Sequence, residues 1–217
     1  MITSTPIRTC FFVDGFNLYH SICDAQKILP GKQLKWLDIH NLCKKHLHLI
    51  GHEAVLSQVS YFTAYAYHLA YKNPNKISRH KAYTRAFTAT GVKVNESHFK
   101  KKDVYDAETG RKIIAHEEKE TDVALACAVL EEANKGLFDT AVIVTGDTDL
   151  RPVISTFGRM NPEKKLLFAF PFGRKNKELA KISPDSFAFS AESYAKHQFP
   201  DKVLLPSGKF VHKPKEW

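Results

Sequence analysis

Ala141-Val-Ile-Val-Thr-Gly-Asp-Thr-Asp-Leu150 decides how the rest of the chain is read. It is a short β-branched apolar run that stops at Thr145-Gly146 and then presents two aspartates, Asp147 and Asp149. A run of this kind, bounded by glycine, reads as a fully buried central strand. Residues just past such a strand lie at its C-terminal end, where open α/β sheets keep their ligands. Two carboxylates close together oppose each other's ionisation. A hard cation removes that cost, because Mg²⁺ and Mn²⁺ take oxygen ligands. The same letters also suit a plain turn with an N-capping aspartate, and the segment alone does not choose between the two.

The chain's length, 217 residues, fits one large domain or one domain with a tail, and its 43% apolar share is enough for a core. Lysine and arginine number 32 against 23 acids, a net charge of +9, which favours polyanionic partners, nucleic acid first. The four cysteines, Cys10, Cys23, Cys43 and Cys127, form no CxxC pair and sit in or beside apolar segments, as buried free thiols do. The opening residues lack the apolar stretch of a signal peptide, and no run approaches the ~20 residues that cross a membrane. These features together read as a cytoplasmic protein with no membrane partner.

Outward from the focal strand, strands and helices alternate. Thr9–Asp14 is a second buried strand, with Gly15-Phe-Asn17 as the turn after it and a helix from Asn17 to about Ile28. Asp38 caps a helix to about Ile50, and Ala54–Ala66 is strand-like. A helix follows from Asn73 to Thr90, then a strand from Val92 to Phe99. Lys100–Glu118 reads as a protruding basic hairpin around Ala107-Glu-Thr-Gly110. Thr121–Lys135 and Leu150–Met160 are helices, Leu166–Phe170 a buried strand, Gly173–Lys177 the opening of a short helix, and Ser186–Ser190 a last short strand. This alternation predicts an α/β fold with a mostly parallel sheet covered on both faces. Residues 1–197 form the expected domain, and 198–217 a C-terminal tail or small appended hairpin.

Three segments then converge. Strand-end loops of a parallel sheet share one rim, so Asp14, Asp147 and Asp149 can meet there. Asp122 joins them if its helix starts at that rim, as a crossover helix normally does. Its place in the first turn also suits the helix dipole, although for Asp122 taken alone a plain cap is the better explanation. Asn17 and Thr145 can orient water or neighbouring oxygens.

Val13-Asp-Gly-Phe-Asn17, Glu118-Lys-Glu-Thr-Asp-Val-Ala-Leu-Ala126 and Val144-Thr-Gly-Asp-Thr-Asp-Leu150, in that order, resemble the NYN domain in its LabA-like (DUF88) branch, over roughly residues 8 to 190. The close of the chain, Pro206 to Trp217, is also similar to endings in that branch. The resemblance implies a PIN-like, Rossmann-like three-layer fold and a Mg²⁺- or Mn²⁺-dependent ribonuclease. Its acidic positions fall on Asp14, Asp122, Asp147 and Asp149, and its polar ones on Asn17, Lys119, Thr145 and Thr148. Some related domains carry a further acid two turns into the Asp122 helix. Ala126 and Ala128 stand on that face here, which weakens the case for a second tightly held ion.

Other chemistries fit less well. His116-Glu-Glu118 imitates the H-x-E of zinc deaminases, but no P-C-x-x-C follows. Phosphatases of the haloacid dehalogenase type need an aspartate where Phe16 stands, and no Walker A or G-x-G-x-x-G is present. Single-stranded RNA is the expected substrate, since its backbone reaches a recessed rim better than a duplex does. The candidates to hold it are Lys100, Lys101, Lys102, Arg111, Lys112, Lys119, Thr148, Arg174 and Lys175, together with the run from Lys72 to Arg85. Tyr61, Phe62, Tyr65 and Tyr67 either stack on bases or pack in the core. The expected mechanism is cleavage by metal-activated water at the aspartate cluster. Its rivals are a catalytically silent RNA-binding or protein-docking module on the same fold and a structure-specific DNA nuclease. The sequence leaves the oligomeric state open, a homo-oligomer included.

Overall fold

A computed structural model describes residues 5–71, 73–105 and 112–217, with side chains from 102 to 119 set aside. Six strands run parallel: β1 (Ile7–Asp14), β2 (Ala54–Ala64), β3 (Lys93–Tyr105), β5 (Thr140–Val144), β6 (Lys165–Phe170) and β7 (Phe187–Ala188). One further strand, β4 (Lys112–Lys119), pairs antiparallel with β3 at the edge. The order across the sheet is β4-β3-β2-β1-β5-β6-β7. The connections therefore leave β1 toward one edge and β5 toward the other, and the reversal falls between these two central strands. A crevice opens at the C-terminal ends of such a pair.

The period of two in the central strands sorts their side chains onto two faces. Phe11, Val13, Val142, Val144, Leu167 and Ala169 belong to one core. It is covered by α1 (Gly15–Ile28), α2 (Ile39–Lys45), α3 (Asn75–Ala89) and α7 (Ala191–Lys196). Cys10, Phe12, Ala141, Ile143, Phe168 and Phe170 belong to the other. That face is covered by α4 (Thr121–Asn134), α5 (Arg151–Met160) and α6 (Lys177–Ile182). The result is a three-layer α/β sandwich. β1, β2, β5 and β6 each contribute apolar residues to both layers, which is why the central strands read as continuous apolar runs.

Several boundaries differ from expectation. Gly15-Phe-Asn17 is no turn: Asp14 caps α1 directly, and the helix begins at Gly15. The helix after Asp38 ends at Lys45, and a 3-10 turn, Leu47–Leu49, follows. The last strand is only Phe187–Ala188, and α7 follows it where no helix was expected. Residues 202–212 form an antiparallel hairpin, β8 (Lys202–Leu204) with β9 (Phe210–His212), whose Val203 and Val211 join the first core. Cys10 and Cys43 are buried free thiols, Cys23 is half-buried and Cys127 is exposed. Tyr61, Phe62 and Tyr65 are core residues, so the stacking role is corrected for Phe62 and Tyr65; Tyr61 also lines a cavity, and Tyr67 is 55% exposed. Among the described residues, no helix is long and apolar enough to cross a membrane.

The basic hairpin forms as expected between β3 and β4, with Phe99 opposite Glu118 and Tyr105 opposite Lys112. β3 pairs with β2 only from Lys93 to Ser97 and then continues beyond the rim of the sheet. β4 returns the chain to that rim, where α4 begins. The turn with Arg111, the side chains of Lys102, Lys112, His116 and Lys119, and Lys72 lie outside the described residues.

Candidate active site

Asp14 is the last residue of β1 and the N-cap of α1. Its Oδ1 accepts from the amides of Phe16 (3.1 Å) and Asn17 (3.0 Å), and its Oδ2 from the hydroxyl of Thr145 (2.9 Å). Burial raises its pKa, the hydrogen bonds pull the other way, and the charge of Asp147 adds to the rise. The Asp14 side chain is thus fixed by a helix terminus on one side and by the end of β5 on the other.

The segment after β5 is tied to the same point. Gly146 donates its amide to Asn17 Oδ1 (3.1 Å), and Asp147 donates its amide to Thr145 Oγ1 (3.1 Å). Asp147 Oδ1 accepts from the Asp149 amide (2.9 Å) and caps a 3-10 turn, Thr148–Leu150. The turn reading of Asp-Thr-Asp-Leu is therefore realised, with Asp147 as its cap. A Cβ on Gly146 would run into the carbonyl of Arg174, and one on Gly15 would stand 2.5 Å from the carbonyl of Phe62. Gly146 lets the loops after β5 and β6 close on one another, and Gly15 lets the start of α1 lie against β2. The loop after β6 is held to α1 through Ser21, whose hydroxyl donates to the Phe172 carbonyl (2.7 Å). Arg174 reaches α1 as well, with Nη2 2.6 Å from Asp24 Oδ2.

Asp122 lies in the first turn of α4, which starts at this rim. The residue before the helix, Glu120, has φ of +76°, a left-handed conformation that costs a non-glycine residue roughly 1–3 kcal/mol. That kink turns the chain from the hairpin into α4. Asp122 is exposed by surface area, yet desolvation by its surroundings pushes its carboxyl up to about 6, helped by the charges of Asp14, Asp147 and Asp149.

Asp14, Asn17, Asp122 and Asp147 line one cavity of about 220 Å³, together with Phe16, His20 and Arg174. Of the expected site residues, Asp149 is exposed beside the cavity without lining it. Thr145 is buried behind Asp14, and Thr148 is half-buried. Among the expected RNA contacts, Arg174 is in the cavity wall, while Lys100, Lys101 and Lys175 are exposed and do not line it. His20 was not anticipated. It stands one helical turn after Asn17, and that i, i+3 relation was legible once α1 was known to start at Gly15.

Among the described residues, no three acidic, histidine or cysteine side chains stand close enough together to enclose a metal ion by themselves. The donor set nevertheless suits a hard cation: three carboxylates open onto one cavity, and among the described residues Asp14 Oδ2 has one hydrogen-bond donor. Mg²⁺ typically keeps several waters and binds through one or two carboxylates, so a full protein cage is not required.

Residues 8–190 match the family model of the NYN domain. A curated relative, the 6-hydroxy-3-succinoylpyridine 3-monooxygenase of Pseudomonas putida, is 26% identical over 250 aligned positions, covering 100% of this chain and 77% of the relative. A crystal structure of a Vibrio parahaemolyticus protein of unknown function superposes with a TM-score of 0.57 at 16% identity, covering 88% of this chain and 97% of that one. That likeness shows the fold alone.

Proposed function

Because the chain belongs to the NYN domain family, within the PIN-like nuclease superfamily, we propose that it is a Mg²⁺- or Mn²⁺-dependent ribonuclease acting on single-stranded RNA. The observation that carries this reading is the single cavity lined by Asp14, Asp122 and Asp147, carboxylates from three separate segments. Asp14, Asp122 and Asp147 would hold the ion, with exposed Asp149 reaching it through water. When bound, a divalent ion lowers the pKa of water and neutralises charge on the attacked phosphate.

The chain's own residues do the rest. The two amides and the Thr145 hydroxyl hold Asp14 in one rotamer. Asn17 fixes the loop after β5 through the Gly146 amide, so Asp147 keeps its place relative to Asp14. Arg174, anchored on Asp24, brings positive charge to a cavity that three aspartates share. Single-stranded RNA fits a recess of about 220 Å³, where a duplex would be held off by its width. Lys100, Lys101 and Lys175 lie outside the recess and would meet the backbone on either side of the cut.

Incubation of labelled single-stranded RNA and DNA with Mn²⁺ or EDTA tests the reading. Cleavage of RNA with Mn²⁺ alone is expected. Equal cleavage of DNA would move the reading to a DNA nuclease, and binding without cleavage to a silent module. A second reading, oxygenation of a small heteroaromatic, follows the name of the Pseudomonas putida relative. The observation favouring it is an aromatic cavity beside the acidic one. Oxygen uptake on addition of 6-hydroxy-3-succinoylpyridine with a nicotinamide reductant would support that second reading.

A further inference from the structure

A second, larger cavity of about 400 Å³ adjoins the acidic one, and Phe16 and His20 stand in the walls of both. Its apolar walls come from distant segments: Leu18 and Ile22 of α1, Tyr61 of β2, Tyr83 of α3, Phe99 of β3 and Trp217. The aromatic rings meet edge to face, Phe16 with Phe99 at 5.8 Å and 80°, Tyr83 with Trp217 at 5.3 Å and 87°. A ligand in the cavity lies beside these pairs and meets the ring surfaces that line it.

The polar groups in this cavity are few. Thr63 Oγ1 and His80 Nε2 lie 3.2 Å apart in its wall. Burial pushes His80 down to about 4, so at neutral pH its imidazole presents hydrogen-bonding nitrogens without charge. Lys35 and Lys76 supply positive charge. Arg79 is paired with Glu216 at 3.0 Å, which seats the neighbouring Trp217 against Tyr83 and Trp36. Empty voids in a core are apolar and lack cations. Here aromatic walls, a neutral hydrogen-bonding pair and lysines surround a space of ligand size. That is the chemistry of a flat heterocycle carrying an anionic group, with stacking for the ring and charge for the anion.

We propose that this cavity is a nucleobase site, which receives one base of the RNA while the adjoining phosphodiester lies over the acidic rim. The base site stands on the cavity itself; its place beside the cleaved bond rests on the nuclease reading above. The shared wall at Phe16 and His20 makes the two sites continuous, so a base held in one sets which linkage reaches the other.

The test titrates the full chain with AMP, GMP, CMP and UMP and follows the fluorescence of its two tryptophans, Trp36 and Trp217. Ribose 5-phosphate and pyridine-3-carboxylate are the controls. At least one nucleotide is expected to give a saturable change, ribose 5-phosphate none, and pyridine-3-carboxylate binding at least tenfold weaker. Phe99→Ala and Lys76→Ala should each weaken nucleotide binding several-fold; where Phe99→Ala fails to fold, Lys76→Ala carries the comparison. An RNA with one abasic residue should be cut at least tenfold more slowly beside that residue. No saturable change with any nucleotide overturns the proposal, even where Mn²⁺-dependent cleavage persists. So does pyridine-3-carboxylate binding as tightly as the best nucleotide. Nucleotide binding by a chain that cuts no RNA keeps the base site and overturns the nuclease reading.

Discussion

The two ends of β5 treat aspartate in opposite ways. At its N-terminal end, Asp139 is gripped by Arg8, whose Nε and Nη2 donate to it at 3.1 and 2.8 Å and whose amide donates at 2.8 Å. The Arg8 guanidinium holds that carboxyl below its ordinary value. At the C-terminal end, Asp14, Asp122 and Asp147 share one cavity, and its one arginine, Arg174, spends Nη2 on Asp24. There the Asp122 carboxyl is pushed up to about 6. The same sheet supplies a counter-charge below and leaves like charges facing one another above. An acid that the fold pairs is structural. Acids that the fold crowds together are the natural place for a charge from outside the chain under the proposed function, in keeping with the tendency of perturbed carboxylates to mark functional sites.

The harshest way to break this contrast is to remove charge from the crowded end. Asp147→Asn keeps an oxygen to cap the Asp149 amide, so the 3-10 turn should survive. Metal-dependent cleavage should nevertheless fall by on the order of 10²–10³-fold, the scale of one electrostatic group at a reacting centre. Initial rates in Mn²⁺ check this, and an unchanged rate would remove Asp147 from the site.

Next in size is a steric change. Gly146→Ala puts a Cβ into the Arg174 carbonyl and should cost about 1–3 kcal/mol, as overpacking does. Chemical denaturation measures it. Wild-type stability in this variant would mean that the loops after β5 and β6 are not closed on each other.

The two ends also predict stability changes of opposite sign in metal-free protein. Asp122 has a folded pKa raised to about 6, so its charge destabilises the fold above that value. The penalty fades as pH falls from about 6 toward the ordinary carboxylate range. Asp122→Asn should therefore stabilise the protein at pH 7, by on the order of 1 kcal/mol once solvent screening of this exposed group is counted. Asp139 has a depressed folded pKa. Its contribution is present above the unfolded value and is lost as pH falls through the folded one. Asp139→Asn should destabilise at pH 7, by up to about 1 kcal/mol because the pair is exposed. Melting both variants in EDTA at pH 7 and pH 4 tests the pair, and a shift of the same sign in both would erase the distinction.

The smallest effect concerns the basic hairpin. Replacing Lys100, Lys101 and Lys102 with alanine should flatten the log–log salt dependence of RNA binding by about 2, if all three meet phosphates. An unchanged slope would make them a solvated face.

Much of this was legible in the sequence because the central strands bury both faces and read as unbroken apolar runs ending in acids. Phe11 to Asp14 and Ala141 to Asp147 needed only that pattern. The start of α1 was misplaced because Asp-Gly-Phe-Asn carries turn letters, while the Asp14 side chain satisfies two amides and lets the helix begin at once. His20 stayed hidden for the same reason, since its facing depends on where α1 begins. The fate of Tyr61 was undecidable from β-strand composition, because a parallel sheet buries both of its faces. The short helix α7 fully buries Ala191 and Tyr194 alone and packs Ala195 beside them, too few for a period to show. The aromatic cavity beside the rim draws on residues from Phe16 to Trp217, a juxtaposition that only the fold creates.

The central claim is that crowded carboxylates, aided by a divalent ion, direct water at an RNA phosphodiester. Mapping the ends of the products by ligation and mass spectrometry, with Mn²⁺ and with EDTA, tests it most directly. The account predicts 5′-phosphate and 3′-hydroxyl ends formed only with Mn²⁺, with cutting retained at a 2′-O-methyl linkage. A 2′,3′-cyclic phosphate formed in EDTA would contradict it and make His20, in the cavity wall, the base that activates the 2′-hydroxyl.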